Sequence, residues 1–393
     1  KACQNNADCG ALKISGTPPD RHVFRDLLIT GNVIRDTFGW TYIAEQRGHF
    51  DGGDRSLQQG LGGFGLYVDN ASGVIAFRNI AYNNAFAGFK FAASWRDGDI
   101  LLYNNTIANS FNGFHFGGES YDTHGSYNTQ LINNIVVNSE GYGIFLGDAD
   151  GELANFNTDH TLYFNNGWRP YEEGGLQNPG NLVIAAPVSN PYFPTLADIQ
   201  AGTPWESHGI EGDPAFRSYD INDHDPYHHS WPNFHLTSSS TNAMNHGTTD
   251  LPETIKLLLK KLGVLDIQLG TAYDIGRYET GFLIRPNPIA NAIERGGTTQ
   301  FQINLHPSDV QFPVTVQAFS PSPNLLVSLD NNFVTPTSPS TLTVTDIQAE
   351  SSNTPGLWYS IEINGEGEDF RDETQVYLLV NGERFYFPAV IRK

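Results

Sequence analysis

The sequence has little charge, little cysteine and no long apolar run. Charged residues make up 17% of its 393 residues, and two residues are cysteines. No apolar stretch is long enough to cross a bilayer, so no membrane span is predicted. Polarity comes instead from Asn, Gly, Ser and Thr, which favour turns over helix. This composition predicts an all-β chain of many short strands.

Basic side chains are also scarce. The chain has 22 Lys and Arg against 43 Asp and Glu, a formal net charge of −21. A nucleic-acid partner is therefore not expected, because binding to phosphates needs a basic surface. The excess of carboxylates has two interpretations. It keeps the protein soluble, or part of it holds Ca2+ as a cofactor.

The two cysteines, Cys3 and Cys9, are close enough in sequence for a disulfide that closes a short loop. Such a bridge suits an oxidising compartment. The chain opens at Lys1, with neither an initiator Met nor a signal peptide, and this is typical of a processed product. We therefore expect an extracellular or cell-surface location.

The most informative feature is an internal repeat in which a glycine opens a short alternating strand. The copies are Gly65-Leu66-Tyr67-Val68, Gly88-Phe89-Lys90-Phe91, Gly113-Phe114-His115-Phe116 and Gly143-Ile144-Phe145-Leu146. Their glycines are 23, 25 and 30 residues apart. This spacing predicts one coil of a right-handed parallel β-helix for each repeat, with loops of unequal length.

A second repeat, of strand, Asn-centred bend and strand, lies between copies of the first. Its copies are Leu27–Asp36, Val74–Asn83, Leu101–Asn109 and Leu131–Asn138. Asn tolerates the left-handed conformation of a sharp bend, and Asn side chains stacked from coil to coil can hydrogen-bond to one another. The pattern favours strands over helical repeats.

The first repeat has a further copy at the start of the chain, Gly10–Ser15. The solenoid would then begin without a cap, although the ends of a solenoid need covering. This predicts association with a missing N-terminal segment or with a neighbouring subunit.

The length predicts two domains or one elongated solenoid. Residues 1–284 form the predicted β-helix. Alternating runs at Val314–Ala318 and Thr374–Val380, separated by turn residues, predict an immunoglobulin-like β-sandwich over residues 287–393. The proline-containing stretch Arg285–Pro288 between them is interpreted as a linker.

These features resemble the pectate-lyase-like right-handed β-helix superfamily. The resemblance covers residues 10 to 280 and rests on the glycine-aromatic strands, the Asn bends and the closing segment Asp274–Glu279. The superfamily includes polysaccharide lyases, glycoside hydrolases, esterases, epimerases and adhesins that are not enzymes. It therefore implies a fold and a polysaccharide partner more strongly than one reaction.

One local match is more specific. Ala87-Gly88-Phe89-Lys90-Phe91 is similar to the Gly-Phe-Lys segment of the family 9 polysaccharide lyases. That resemblance implies that Lys90 is the base and that Ca2+ is held by a nearby acidic cluster. The aspartates that the family carries on the preceding coil are absent here, where the chain has Gly63-Phe64-Gly65-Leu66.

Strand alternation gives a candidate site without help from the family. If Leu66, Phe89 and Phe114 point inward, the residues after them point outward and stack about 4.8 Å apart. That outer column is Tyr67, Lys90, His115 and Phe145, with Lys13 as a possible extension. Ordinary solvent-facing side chains are the competing interpretation.

The chemistry that fits the column is β-elimination on a uronic-acid polymer. This reaction needs a cation that neutralises the carboxylate and a base that removes the adjacent proton. Lys90 is the candidate base, and His115 or Tyr67 is the alternative base or the acid to the leaving oxygen. The other predicted residues are Arg47 and Arg96 for the substrate carboxylate, Trp40, Trp95 and Tyr121 for stacking on sugar rings, and Asp51, Asp54 and Asp69 for Ca2+.

Two other functions remain open. A β-helix glycoside hydrolase would use two carboxylates, such as Asp69 with Asp97, Asp99 or Asp122. A surface adhesin or filament subunit would use the solenoid only as scaffold. The leading hypothesis is a secreted polysaccharide lyase.

Overall fold

The computed structural model divides the chain into two compact units, Lys1–Thr280 and Gly281–Lys393. It describes residues 12–15, 24–37, 63–69, 71–91, 99–117, 128–146, 156–167, 172–173, 176–177, 184–185, 193–220, 232–253, 256–257, 260, 269, 272–306, 310–348, 356–368 and 370–381. For 12–15, 24–26, 69, 71–72, 172–173, 176–177 and 184–185 only the backbone is described. Of the described residues, 53% lie in strands and 5% in helices, so the chain is all-β. No described helix is long and apolar enough to span a membrane.

Short strands dominate the described part of the first unit. One short helix is described over its full length, and Glu253, Lys256, Leu257 and Lys260 are helical as well. The strands are β1 Leu12–Ser15, β2 Phe24–Thr30, β3 Val33–Arg35, β4 Phe64–Asp69, β5 Ala71–Phe77, β6 Ile80–Tyr82, β7 Ala87–Phe91, β8 Ile100–Tyr103, β9 Thr106–Ala108, β10 Asn112–Phe116, β11 Thr129–Ile132, β12 Ile135–Val137, β13 Tyr142–Leu146, β14 Asn157–Asp159, β15 Leu162–Phe164, β16 Glu172–Glu173, β17 Leu176–Gln177, β18 Ile184–Ala185, β19 Ile210–Glu211, β20 Phe216–Ser218 and β21 Asn233–Leu236. The helix, α1, is Leu196–Gly202.

Three parallel sheets organise these strands. The first sheet has the order β1-β4-β7-β10-β13-β18, the second β14-β11-β8-β5-β2, and the third β19-β15-β12-β9-β6-β3. From β1 to β15 the chain visits the first, second and third sheets in that order five times. Each circuit therefore lies directly against the next, and every sheet grows by one strand per circuit.

The core lies between the three sheets and follows the predicted alternation. Leu66, Phe89, Phe114 and Ile144 of the first sheet are fully buried and share one cluster with residues of the other two sheets. Two positions further along each strand, Val68, Phe91, Phe116 and Leu146 join the same cluster. The inward positions predicted from the repeat are therefore confirmed.

The bends between the second and third sheets use the left-handed backbone that the Asn repeat predicts. Positive φ occurs at one position on every circuit, at Gly31, Arg78, Asn104, Asn133 and His160. A second such position, five residues later and directly after a strand of the third sheet, is occupied by Asp36, Asn83, Asn109, Asn138 and Asn165. Only residues such as Gly and Asn adopt this conformation at low cost, so the composition of the bends follows from their geometry.

Between these two positions, buried Asn side chains form a continuous stack. The amide oxygen of Asn134 accepts from the backbone N–H and the side-chain amide of Asn105, at 2.9 and 3.1 Å. Asn105 accepts in the same way from Asn79, and Asn79 from Asn32, at 3.0 Å in each case. Asn79, Asn105 and Asn134 are fully buried. The stack therefore satisfies backbone groups that the bends remove from the strand ladders.

On the fifth circuit, Glu206 accepts the backbone hydrogen bond that an Asn side chain accepts on earlier circuits. Thr161 directly precedes β15, as Asn134 precedes β12, and its backbone N–H donates to Glu206 Oε2 at 3.1 Å. Tyr163 donates its hydroxyl to Oε1 at 2.7 Å, and the Thr158 hydroxyl donates to the same oxygen. Glu206 is fully buried, and burial raises its pKa to about 7 despite these donors.

The raised pKa of Glu206 makes stability depend on pH. The folded chain keeps a proton that the unfolded chain, with an ordinary pKa of 4.5, releases between pH 4.5 and about 7. The contribution of Glu206 to the free energy of unfolding should therefore fall as pH rises through this window, by about 3 kcal/mol in total.

Glu206→Gln should remove that part of the pH dependence. The measurement is denaturant unfolding at several pH values for the variant and for the wild type. The exposed Glu211→Gln serves as control and should keep the wild-type profile. Parallel profiles for wild type and Glu206→Gln would show that Glu206 does not titrate in this window.

Segments beyond the last circuit cover the remaining apolar surface of the first unit. Leu196 and Ile199 of α1 join the core between the sheets. A separate cluster joins Ile80, Ile135 and Leu162 of the third sheet to later residues, among them Phe234 and Ile275. The middle strands of the third sheet, β6, β9 and β12, are therefore covered on both faces, which explains why all but one of their residues are apolar.

The segment Asp274–Glu279 is fastened to the bends. The carbonyl of Asp274 accepts from the Asn104 side chain at 3.1 Å, and Gly276 N–H donates to the Asn133 carbonyl at 2.7 Å. Glu279, almost completely buried, pairs with Arg78 at 3.4 Å. This segment lies across successive bends rather than within a strand, so it ties several circuits together.

The second unit consists of two further sheets. Its strands are β22 Leu283–Asn287, β23 Ala290–Ile293, β24 Thr298–His306, β25 Val314–Phe319, β26 Leu325–Leu329, β27 Phe333–Val334, β28 Ser340–Asp346, β29 Leu357–Gly367 and β30 Phe370–Val380. One sheet has the order β22-β24-β28-β26 and the other β23-β30-β29-β25-β27. All pairs are antiparallel except β23 with β30, and both sheets contribute to one apolar core.

The predicted linker is a strand. Arg285 and Pro286 lie within β22, whose Ile284 is buried in the core of the second unit. Pro286 is tolerated because β22 is at the edge of its sheet, where a missing N–H breaks no ladder. The prediction of a linker from these prolines is therefore wrong. The second unit begins at Gly281.

Candidate functional site on the first sheet

The first sheet brings the outer column together. Tyr67 on β4 is the register partner of Lys90 on β7, and Lys90 is the partner of His115 on β10. His115 pairs in turn with Phe145 on β13, and Tyr67 with Lys13 on β1. Since the residues that flank Tyr67, Lys90, His115 and Phe145 point into the core, these four side chains lie on the opposite face of the sheet.

The outer column is buried rather than solvent-facing. The exposed fraction is 1% for Tyr67, 5% for Lys90 and 4% for His115. Tyr67 belongs to a small apolar cluster with Phe64, Phe86 and Ala87, separate from the core between the sheets. A sugar that contacts Lys90 or His115 therefore needs more space than this conformation leaves.

Aromatic rings surround the ammonium group of Lys90. Its Nζ lies 5.4 Å from the centre of the Phe64 ring and 5.7 Å from that of Phe86. The faces of aromatic rings attract a cation, and more strongly away from water. These contacts stabilise a cation at this position, which suits a group that neutralises an anion.

His115 is held in its neutral form. Burial, with the nearby charge of Lys90 as a second cause, keeps the pKa of His115 well below its usual value of 6.5. The Asn112 amide nitrogen lies 3.1 Å from Nδ1. Because an amide nitrogen only donates, Nδ1 accepts and the ring proton is on Nε2. His115 is thus a weak base and a neutral hydrogen-bond donor.

The residues around the column were not singled out by sequence reasoning. Phe86 packs 5.1 Å from the His115 ring, and Asn112 sets the tautomer of that ring. The sequence does contain a pattern that could have identified Phe86, because Phe86 and Phe111 each lie two residues before a repeat glycine. In the structure their ring centres are 6.1 Å apart. That periodicity marks an aromatic layer outside the sheet.

Most other predicted site residues lie outside the described part of the chain. They are Arg47, Arg96, Trp40, Trp95, Tyr121, Asp51, Asp54, Asp97 and Asp122. Asp69 is the last residue of β4, where its backbone pairs with Ser15, but its side chain is not described. Asp99 is exposed and directly precedes β8. The predicted Ca2+ site and the Asp pairs therefore remain predictions.

The described residues offer a different group of potential metal ligands. Asp159, His160 and His208 place one donor atom each within 4.8 Å of one another. They lie at the bend between β14 and β15 and in the segment after α1, not on the first sheet. Two imidazoles and one carboxylate suit a transition metal better than Ca2+.

Comparison with known proteins identifies no family. No protein-family model and no curated protein matches the sequence. Among solved structures, domains 4 and 5 of the S-layer protein SbsC match 26% of this chain at 18% identity with a TM-score of 0.18. The match spans about half of that chain, 51%. A TM-score this low carries no argument about fold or function.

Proposed function

We propose that the chain is an extracellular polysaccharide lyase that cleaves a uronic-acid polymer by β-elimination. The proposal rests on one observation: Tyr67, Lys90 and His115 are register partners on adjacent parallel strands. Groups so placed are about 4.8 Å apart, close enough to act on one sugar ring.

The proposal includes a finer description of the fold. The first unit is a right-handed parallel β-helix of the pectate-lyase-like kind, supported by the repeated circuit through three parallel sheets and by the left-handed bends. The second unit is an immunoglobulin-like β-sandwich, supported by two mainly antiparallel sheets around one core. It serves as a spacer, an anchor or a carbohydrate-binding module.

Each member of the column has a role in the proposed reaction. Lys90, as a cation, neutralises the carboxylate next to the proton that is removed, which stabilises the developing charge. His115 donates from Nε2, to the same charge or to the leaving oxygen. Tyr67 is then the base, in its phenolate form, and takes up the proton that the substrate loses; the adjacent ammonium group of Lys90 would stabilise that phenolate. These roles differ from those that the family resemblance implies, because two aromatic rings lie beside the Lys90 ammonium group and attract a cation.

The remaining predicted residues complete the proposed site. They lie in stretches that precede β4 or follow β7 and β10 in the sequence. Arg47 and Arg96 bind substrate carboxylates, and aromatic residues of the same stretches, Trp40, Trp95 and Tyr121, stack on sugars. Ca2+, held by Asp51, Asp54 and Asp69, offsets the repulsion between an acidic protein and an acidic polymer.

The test is ultraviolet absorbance during incubation with polyuronates and glycosaminoglycans, with Ca2+ and then with a chelator. A rise from the new C=C bond supports the lyase, and its loss with chelator supports the metal. New reducing ends without absorbance would instead indicate the hydrolase with an Asp pair. A flat trace without new ends would contradict both enzymes.

Lys90→Ala should reduce the elimination rate at least about a hundredfold, because removing one group that stabilises transition-state charge typically costs that much. Lys90→Met fills the same apolar surroundings and covers the case in which the alanine variant misfolds. The control is Lys256→Ala, whose ammonium group is partly exposed and pairs with the Glu253 carboxylate at 3.1 Å. Folded Lys90 variants with full activity would place the chemistry elsewhere.

A non-catalytic surface protein is the second candidate, and burial of the column favours it. Lys90 and His115 are 5% and 4% exposed, as expected for side chains whose role is to pack within the aromatic layer. In that case Lys90→Met would leave polysaccharide binding unchanged, and no substrate of the panel would be cleaved.

A further inference from the structure

The bend between β14 and β15 carries a compact group of polar side chains. His208 Nδ1 lies 2.9 Å and His160 Nε2 lies 3.9 Å from Oδ2 of Asp159. The two imidazole rings are nearly parallel, with centres 4.6 Å apart. The Ser207 hydroxyl lies 3.4 Å from the same Oδ2 and 3.0 Å from His208 Nδ1.

Asp159 is oriented by backbone donors. Its Oδ1 accepts from the N–H groups of His160 and His208, at 3.0 and 2.8 Å. Oδ2 is thereby turned towards the two rings. The two backbone hydrogen bonds to Oδ1 therefore hold the carboxylate in place, and Oδ2 is directed at the imidazoles.

The tautomer of His160 is fixed from outside the group. Its Nδ1 lies 2.8 Å from the backbone carbonyl of His246. A carbonyl only accepts, so Nδ1 carries the proton and the lone pair of neutral His160 is on Nε2. This lone pair then faces the Asp159 carboxylate. A carbonyl that orients the far nitrogen of an imidazole is the outer-shell arrangement common at metal sites.

We propose that Asp159, His160 and His208 bind a divalent transition metal ion, with Zn2+ as the probe of choice. In the metal-free form His208 Nδ1 donates its proton to Oδ2. With that proton moved to Nε2, a cation between Oδ2 and the two ring nitrogens satisfies three electron-rich atoms at once. Ligands at about 2.0–2.2 Å from a tetrahedral ion are about 3.3 Å from each other. The two measured separations, 2.9 and 3.9 Å, lie on either side of that value.

Binding needs one small rearrangement. Parallel rings cannot both direct an in-plane lone pair at a single ion, so one ring must turn. The side chain of His208 is 63% exposed, whereas that of His160 is only 18% exposed and is held by a carbonyl. His208 is therefore the ligand that moves. The ion would tie the segment after α1, next to buried Glu206, to the last circuit of the first unit.

The test is a Zn2+ titration of the metal-free full chain by calorimetry at neutral pH, with thermal unfolding in parallel. The wild type should bind one more Zn2+ per chain than His208→Ala or His160→Asn, and Zn2+ should raise the unfolding temperature of the wild type alone. Asn is used at position 160 because the backbone there has φ of 53°, which Asn tolerates. Either change should weaken this site more than about a hundredfold, since outer-shell partners alone contribute 10- to 100-fold.

The control is His246→Ala. It removes an exposed imidazole nearby but keeps the carbonyl that orients His160. This variant should bind Zn2+ as the wild type does. Equal stoichiometry in the wild type and both ligand variants, or no binding by the wild type, would overturn the proposal.

Discussion

Replacing Asn105 with Ala is expected to lower the free energy of unfolding of the first unit by about 3–5 kcal/mol. Asn105 is fully buried, and its side chain takes part in four hydrogen bonds. It accepts from the backbone and side chain of Asn79 and donates to Asn134 Oδ1 and to the Ala76 carbonyl. Alanine leaves two or three of these groups buried without this partner, at about 1–3 kcal/mol each.

The matched control is Asn32→Ala, at the first position of the same stack. Asn32 donates to Asn79 Oδ1 and to the Thr30 carbonyl, but it is exposed, so water can replace the lost side chain. We expect a loss of less than about 1 kcal/mol. Denaturant unfolding followed by circular dichroism measures both variants. Similar losses at the two positions would mean that burial of the stack does not control its contribution.

Gly113→Ala is expected to destabilise the first unit by about 3 kcal/mol or more. A Cβ at this position would lie 2.3 Å from the carbonyl oxygen of Gly143 and 2.4 Å from Cγ1 of Val136. The first contact is with the backbone of the neighbouring strand and the second is with a buried side chain, so neither yields easily. Overpacking of this kind typically costs 1–3 kcal/mol, and more where backbone must move. Thermal unfolding should show a clear decrease in the transition temperature.

Gly31→Ala separates this steric cost from the conformational cost of losing a glycine. Gly31 has φ of 70°, and nothing lies within 4 Å of a Cβ built there. We expect a loss of about 1–2 kcal/mol, the cost of left-handed backbone for an L-residue. If Gly113→Ala cost no more than Gly31→Ala, close packing would not explain the repeated glycine.

These steric and conformational requirements explain why the repeat could be recognised in the sequence. Glycine at 65, 88 and 113 is required where adjacent circuits approach closely, so it recurs once per circuit. Asparagine recurs because the bends need left-handed backbone and because Asn stacks. Each requirement is local and repeats with the chain. For that reason the all-β class, the inward positions and the register of the outer column follow from pattern alone.

The edge strand β22 and the surroundings of the outer column did not follow from pattern. Pro286 is acceptable because, among the described strands, β22 has a partner on one side only, which is a property of the assembled sheet. Alternation places Lys90 and His115 on the outer face, but it does not reveal that Phe64 and Phe86 enclose the Lys90 ammonium group. Phe86 directly precedes the strand of Lys90, but Phe64 lies on the preceding circuit, so its contact with Lys90 depends on how the circuits stack.

Burial and charge pairing over long separations were decided by the tertiary structure. Glu206 meets Thr158 and Tyr163 across more than 40 residues, and only this enclosure raises its pKa to about 7. His208 meets Asp159 across 49 residues. A periodic sequence predicts the backbone conformation of each residue and the face of the strand on which its side chain lies, because both depend on residues nearby in the chain. The solvation and electrostatics of a side chain depend on residues that folding brings from elsewhere, and no local pattern records them.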